Sequence, residues 1–160
     1  MKWTTHLIVG ATAGLIIAKY TGIDYVLMAS AGAFFGVLPD GDIIISTLGL
    51  GEHRGAYSHS LGSSVIMGII AVLGAHYLFY YPFKLSLYLG FVAFSASFLH
   101  DLTDALTYSG VKLFWPLSKR RYRGFVRYNS IVANMAIIII CLAALYYAGI
   151  LGFLHGIYGK

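Results

Sequence analysis

Apolar residues run along this chain in five long stretches separated by short polar breaks. The stretches cover residues 3–20, 25–38, 58–80, 85–107 and 129–153. Most approach the roughly 20 residues that an α-helix needs to cross a bilayer. They are too long and too continuous for the alternating strands of a membrane barrel. Helices also satisfy their own backbone in lipid. The pattern therefore predicts an all-α protein, a polytopic transmembrane bundle of about five segments forming one integral membrane domain over residues 1–160.

Local signals refine the elements. Gly10 and Gly14 form one GxxxG pair, and Gly32 and Gly36 form another. Such pairs let helix backbones approach closely, so the first two helices should pack together. The second stretch is short for a full span and is expected to tilt or to reach the interface. Pro39 disfavours helix at Leu38 and should end that stretch there. The aromatic run Tyr77, Phe79, Tyr80, Tyr81 and Phe83 looks like an interfacial belt. Asn129 or Ser130 suits the N-cap of the last helix. Asn134, inside that helix, is expected to bond across to a neighbour. The first stretch follows Lys2 but precedes no convincing cleavage site, so it is read as a helix and not as a signal peptide.

Composition supports a membrane class. The chain is 59% hydrophobic and only 11% charged, against about 25% charged in soluble domains. Cys141 is the only cysteine, which excludes an internal disulfide and a zinc–thiolate cluster. The net charge is +5, and six of the eleven basic residues (Lys112, Lys119, Arg120, Arg121, Arg123, Arg127) fall in one short loop. Beside membrane helices this reads as a cytoplasmic loop that also meets anionic headgroups. Nucleic acid is not an expected partner, since charge alone does not make such a site.

Counting spans from that loop puts the N-terminus inside, residues 39–57 inside, and the turns at 21–24 and 81–84 outside. The cytoplasmic side then receives His6, Asp40, Asp42, His53, His59, His100 and Asp104. None of these residues entered the charge argument, yet all reach one face. Polar groups are costly next to lipid, so seven of them together point to joint use. Imidazole and carboxylate ligate zinc, manganese or iron, with zinc the first choice. His100 and Asp104 lie one helical turn apart on one face, although one helical step decides between Asp101 and Asp104. The number of donors suits one or two ions. A two-metal site activates water and steadies phosphoryl oxygens. Arg54 is the candidate clamp on a substrate phosphate; Asp40 or Asp42 is the candidate bridging carboxylate, and Asp42 with Arg54 the candidate catalytic pair. Arg120, Arg121 and Arg123 are candidates for holding a headgroup. Each residue alone has a bland reading as a headgroup contact or a helix-end hydrogen bond; the cluster does not.

The segments THLIVGATAG (5–14), LPDGD (38–42), HRGAYSHSL (53–61), HDLTDALTYSG (100–110) and LFWPLSKRRY (113–122) resemble the YdjM-type family. Its members are small bacterial and archaeal proteins described as membrane-bound metal-dependent hydrolases. The resemblance covers residues 5–123. Tyr57 stands where that family usually carries threonine before the second histidine of its HRGxTHS motif. The resemblance implies a His/Asp metal centre on the seven residues named above and a hydrolase activity. Some members are also labelled as binding a DNA-damage repressor. The first expectation is thus a membrane metallohydrolase acting on a phosphoester or phospholipid at the cytoplasmic face. A metal transporter or sensor, or a scaffold acting through the basic loop, are the alternatives.

Overall fold

The computed structural model describes residues 1–49 and 54–151. Among these, five longer helices and one short one form the fold: α1 (Trp3–Thr21), α2 (Tyr25–Val37), α3 (Asp42–Thr47), α4 (Leu61–Leu73), α5 (Phe83–Ala105) and α6 (Ile131–Tyr147). No strand is present among them; two isolated β-bridges, Thr107 with Val126 and Val111 with Tyr122, fold the basic loop back on itself. α5 is the central helix, packed by α1, α2 and α4, while α6 leans on α1.

Two helical runs, Leu61–Leu78 and Phe83–Ala105, are long and apolar enough to cross a membrane. Tyr25–Gly41 and Ile131–Tyr147 are apolar but shorter. The outward faces carry large apolar side chains, among them Phe34, Ile66, Ile70, Phe91, Ile139 and Ile140. An apolar exposed surface of that extent needs a cover of lipid or protein.

Local chemistry explains the element ends. Gly22 takes the left-handed conformation (φ 71°) and donates to the Ala18 carbonyl, which closes α1. Asp24 accepts from the Leu27 N–H at 2.7 Å and starts α2. Pro39 stops the α-helix at Val37, as expected, but the chain continues as a 3₁₀ turn over Leu38–Gly41. α4 starts at Leu61, later than the expected residue 58, because Ser60 and Ser63 form a capping box there. Its last turn widens into a π-helix over Gly74–Leu78. Ser130 is the N-cap of α6, accepting from Ala133 N–H at 3.3 Å.

The two GxxxG pairs meet, as expected. A Cβ on Gly10 would lie 2.1 Å from the Gly32 carbonyl oxygen, and a Cβ on Gly14 would lie 2.0 Å from the Met28 oxygen. α1 and α2 therefore touch backbone to backbone. The apolar core of Ala18, Met28, Ala75, Leu89 and Val92 fills one end of the bundle. The buried polar residues, His6, His59, His100, Asp101 and Asp104 among them, fill the other.

The contact is directly testable. Gly32→Ala is expected to destabilise the protein by about 1–3 kcal/mol, because backbone cannot move aside as a side chain can. Gly74→Ala, where an added Cβ meets nothing within 4 Å, should stay within about 0.5 kcal/mol. Thermal unfolding of both variants in detergent measures the difference.

Candidate metal centre

Four elements bring the polar residues together. α1 supplies His6 from its first turns, and the 3₁₀ turn after α2 supplies Asp40. The last turns of α5 supply His100, Asp101 and Asp104. His59 stands just before the Ser60 cap of α4. The basic loop closes over the same end, where Leu113 and Trp115 carbonyls accept from Leu61 and Gly62 N–H groups at 2.7 and 3.0 Å.

At the centre, His59 Nε2 and His100 Nε2 face each other at 3.1 Å. His100 Nε2 is 3.6 Å from Asp40 Oδ1 and 3.8 Å from Asp104 Oδ2. His59 Nε2 is 3.8 Å from Asp40 Oδ1 and 3.9 Å from Asp104 Oδ2. A tetrahedral ion with bonds of about 2.0–2.1 Å holds its donors about 3.3–3.4 Å apart. These five separations bracket that edge to within about half an ångström.

The far side of each imidazole is fixed. His100 Nδ1 is 2.8 Å from the Gly36 carbonyl. A carbonyl only accepts, so Nδ1 carries the hydrogen and Nε2 keeps its lone pair. His59 Nδ1 is 3.0 Å from Ser58 Oγ and 3.2 Å from Asp42 Oδ2. Ser58 donates its own hydroxyl hydrogen to Asp42 Oδ2 at 2.6 Å, so the His59 hydrogen also belongs on Nδ1. This is the carboxylate–histidine arrangement that orients metal-binding imidazoles.

His6 stacks on His100 with ring centroids 3.7 Å apart, and its Nε2 lies 3.3 Å from Asp104 Oδ1. His6, Asp40, His100 and Asp104 offer donor atoms that all fall within 4.8 Å of one another, and so do those of His59, His100 and Asp101. The two groups share His100. Buried His6 Nε2 and Asp101 Oδ1 form no hydrogen bond. Orphaned buried polar atoms are costly, and a divalent cation would answer both. The N/O donor set fits zinc, manganese or iron.

Arg54 sits in the left-handed conformation (φ 57°) and is buried. Its Nη2 lies 2.9 Å from Asp104 Oδ2, and Nη1 donates to Thr107 Oγ1 at 3.1 Å. The Met1 amino group also pairs with Asp104. A cleft of about 600 Å³ opens above, lined by Lys2, Trp3, Asp40, Arg54, Ser109 and Tyr128 among others. Asp40 is the cluster carboxylate that this cleft reaches, with its side chain 15% exposed against 0% for Asp104.

Burial raises the Asp40 carboxyl pKa, but the His59 hydrogen bond and the nearby His100 and His6 outweigh it, so the net direction is down. Burial also opposes charge on His59, yet the neighbouring Asp40 and Asp42 carboxylates win and push it up to about 9.

Of the residues expected from the sequence, His6, Asp40, His59, His100 and Asp104 converge. Asp42 is not among the grouped donors; its Oδ2 accepts from Arg54 N–H at 2.8 Å and from Ser58, and it stands behind His59. His53 lies outside the described residues. Arg121 donates to the Ser109 and Gly110 carbonyls at 3.3 and 3.1 Å, and Arg120 lies 5.5 Å over the Tyr122 ring. These contacts tie Arg120 and Arg121 into the basic loop and not to the cluster. Asp101 and Asp104 both turn inward: Asp104 faces His100 Nε2, and Asp101 Oδ2 accepts from Ser64 Oγ at 3.0 Å. The sequence reading missed Ser58, Ser64 and Thr107, hydroxyls whose spacing carries no metal signature. Asn134 behaves as expected, accepting from Thr5 Oγ1 at 2.6 Å and from Lys2 N–H at 3.1 Å.

A family model described as YdjM inner membrane protein matches residues 1–157. No curated protein and no solved structure matches the chain.

The geometry separates ligands from supports. Asp40→Ala should abolish stoichiometric metal, whereas Asp42→Asn should weaken affinity about 10–100-fold without abolishing it. Because metal must displace the His59 proton, held up to about 9, affinity should fall about tenfold per unit as pH drops below that value. Chelator competition across pH 6–8 measures both effects.

Proposed function

The chain belongs to the YdjM inner membrane protein family, and from that membership and the cluster just described we propose that it is a membrane-embedded, metal-dependent hydrolase of phosphoesters. The observation that carries this reading is the pair of histidine Nε2 atoms, 3.1 Å apart, turned toward two carboxylate oxygens while their Nδ1 atoms are locked elsewhere. A bundle whose far end already packs an apolar core needs no ion to fold. That favours a chemical role over a structural one.

On this reading His59, His100, Asp40 and Asp104 hold the first ion, and His6 or Asp101 completes it or holds a second. A divalent cation there would supply Lewis acidity to a phosphoryl oxygen and to an attacking water. Arg54 lines the cleft, and its guanidinium is the group there suited to a phosphoryl oxygen. Asp40 stays anionic and faces the cleft, placed to ligate and to accept a proton from water. Asp42 is a positioning residue acting through His59. Lys2 at the cleft rim adds positive charge.

We place this end of the bundle at the cytoplasmic face, since the basic loop of residues 112–127 closes over it. A polar site at the end of an apolar bundle meets the headgroup layer, which favours a phospholipid-like substrate.

Purified protein in liposomes, supplied with zinc, manganese or iron, is expected to release headgroup or phosphate from a panel of lipid phosphoesters. His59→Ala and Asp104→Ala should reduce turnover by at least about 10³-fold, as expected when a metal ligand is removed. His76→Ala should leave it unchanged, because His76 Nδ1 bonds the Tyr81 carbonyl at 3.1 Å at the other end of α4. Bound metal with no turnover across the panel would overturn the hydrolase reading.

A further inference from the structure

A second cleft, of about 470 Å³, lies on the flank of α1 and α2. Its walls are Trp3 and Leu7 of α1 and Ala33, Phe34 and Val37 of α2, and it ends at Asp40. The glycine contact explains why it exists. With backbones in contact through Gly10 and Gly32, the larger side chains on either side cannot interleave and splay outward as two ridges. Trp3 and Phe34 are each 60% exposed at its mouth. Its size falls within the roughly 300–1,000 Å³ range of ligand sites.

Asp40 and Trp3 line both this groove and the polar cleft above the metal centre. The two thus adjoin at one carboxylate. One side is apolar and open to the flank of the bundle. The other is lined by Lys2 and Arg54, with Asp40 between them and the buried histidines. Cationic groups at one end and an apolar trough at the other are complementary to one chemistry, an anionic head on a hydrocarbon tail.

We propose that the groove between α1 and α2 receives one acyl chain of a membrane phospholipid, which enters sideways from the bilayer and lays its phosphate at Arg54 and Asp40. This rests on the phosphoester reading above and specifies it: the substrate is long-chained and reaches the site within the membrane, not from water. Ala33 is the specificity-determining position, because a large side chain there fills the trough without touching the metal ligands.

Native mass spectrometry of the detergent-purified, metal-loaded protein tests this with dioleoyl phosphatidic acid as probe, and with dioleoylglycerol and glycerol 3-phosphate as headless and tailless controls. Wild type should retain one phosphatidic acid. Ala33→Trp and, separately, Val37→Trp should weaken it at least tenfold while keeping their metal, which shows them folded. Ile139→Trp, on an exposed face of α6, should bind as wild type does. Dioleoylglycerol should bind at least tenfold more weakly, and glycerol 3-phosphate should bind the Trp variants and wild type alike. Unchanged phosphatidic acid binding in both groove variants, equal loss in Ile139→Trp, or equal retention of dioleoylglycerol would overturn the proposal. Turnover of phosphatidic acid on the same samples separates the two readings: chain-dependent binding without turnover counts against hydrolysis and leaves the groove standing.

Discussion

Gly36 is where packing and chemistry depend on each other. A Cβ there would lie 2.6 Å from the His6 carbonyl oxygen, so only glycine lets α1 come this close. The same residue's carbonyl accepts from His100 Nδ1 at 2.8 Å. One position without a side chain thus sets where His6 stands, through α1, and which way His100 turns, through α5. In lipid, where burial alone gives helices little reason to associate, close backbone contact supplies the packing. Here that contact also sets the spacing of donors drawn from three separate helical segments.

Asp42 plays the corresponding part in the loop. It takes a hydrogen from the backbone of Arg54, from the hydroxyl of Ser58 and from the ring of His59. These three bonds hold a segment that has little apolar surface of its own. Arg54 is then presented to Asp104 from a left-handed backbone, a conformation that non-glycine residues seldom adopt. Strain of that kind persists where surrounding contacts over-determine it, and the bonds of Asp42 and Thr107 do so here.

Much of this was legible in the sequence. The paired glycines announced the α1–α2 contact, Ser130 announced the start of α6, and the gathering of His6, Asp40, His59, His100 and Asp104 at one end followed from charge and counting alone. The roles within the cluster were not legible. Asp40 and Asp42 are two residues apart and chemically alike, and only the 3₁₀ turn and the short α3 decide that one faces the centre and the other faces the back of His59. The cationic partner of Asp104 was likewise invisible, because Arg54 reaches it from a loop 50 residues away in sequence. The arginines of the basic loop looked like substrate ligands because hydropathy reports only their side of the membrane. The bonds of Arg121 to the Ser109 and Gly110 carbonyls depend on how the loop folds back.

The locked imidazoles have a consequence for proton traffic. With His100 Nδ1 committed to a backbone carbonyl and Nε2 turned to the centre, this ring has no free edge through which to relay a hydrogen to water. His59 is held the same way by Asp42 and Ser58, and its side chain is fully enclosed. If the centre turns over as proposed, Asp40, the cluster carboxylate that lines the polar cleft, is the group placed to pass its protons outward. An amphiphile seated over Asp40 would then cover that route until product leaves.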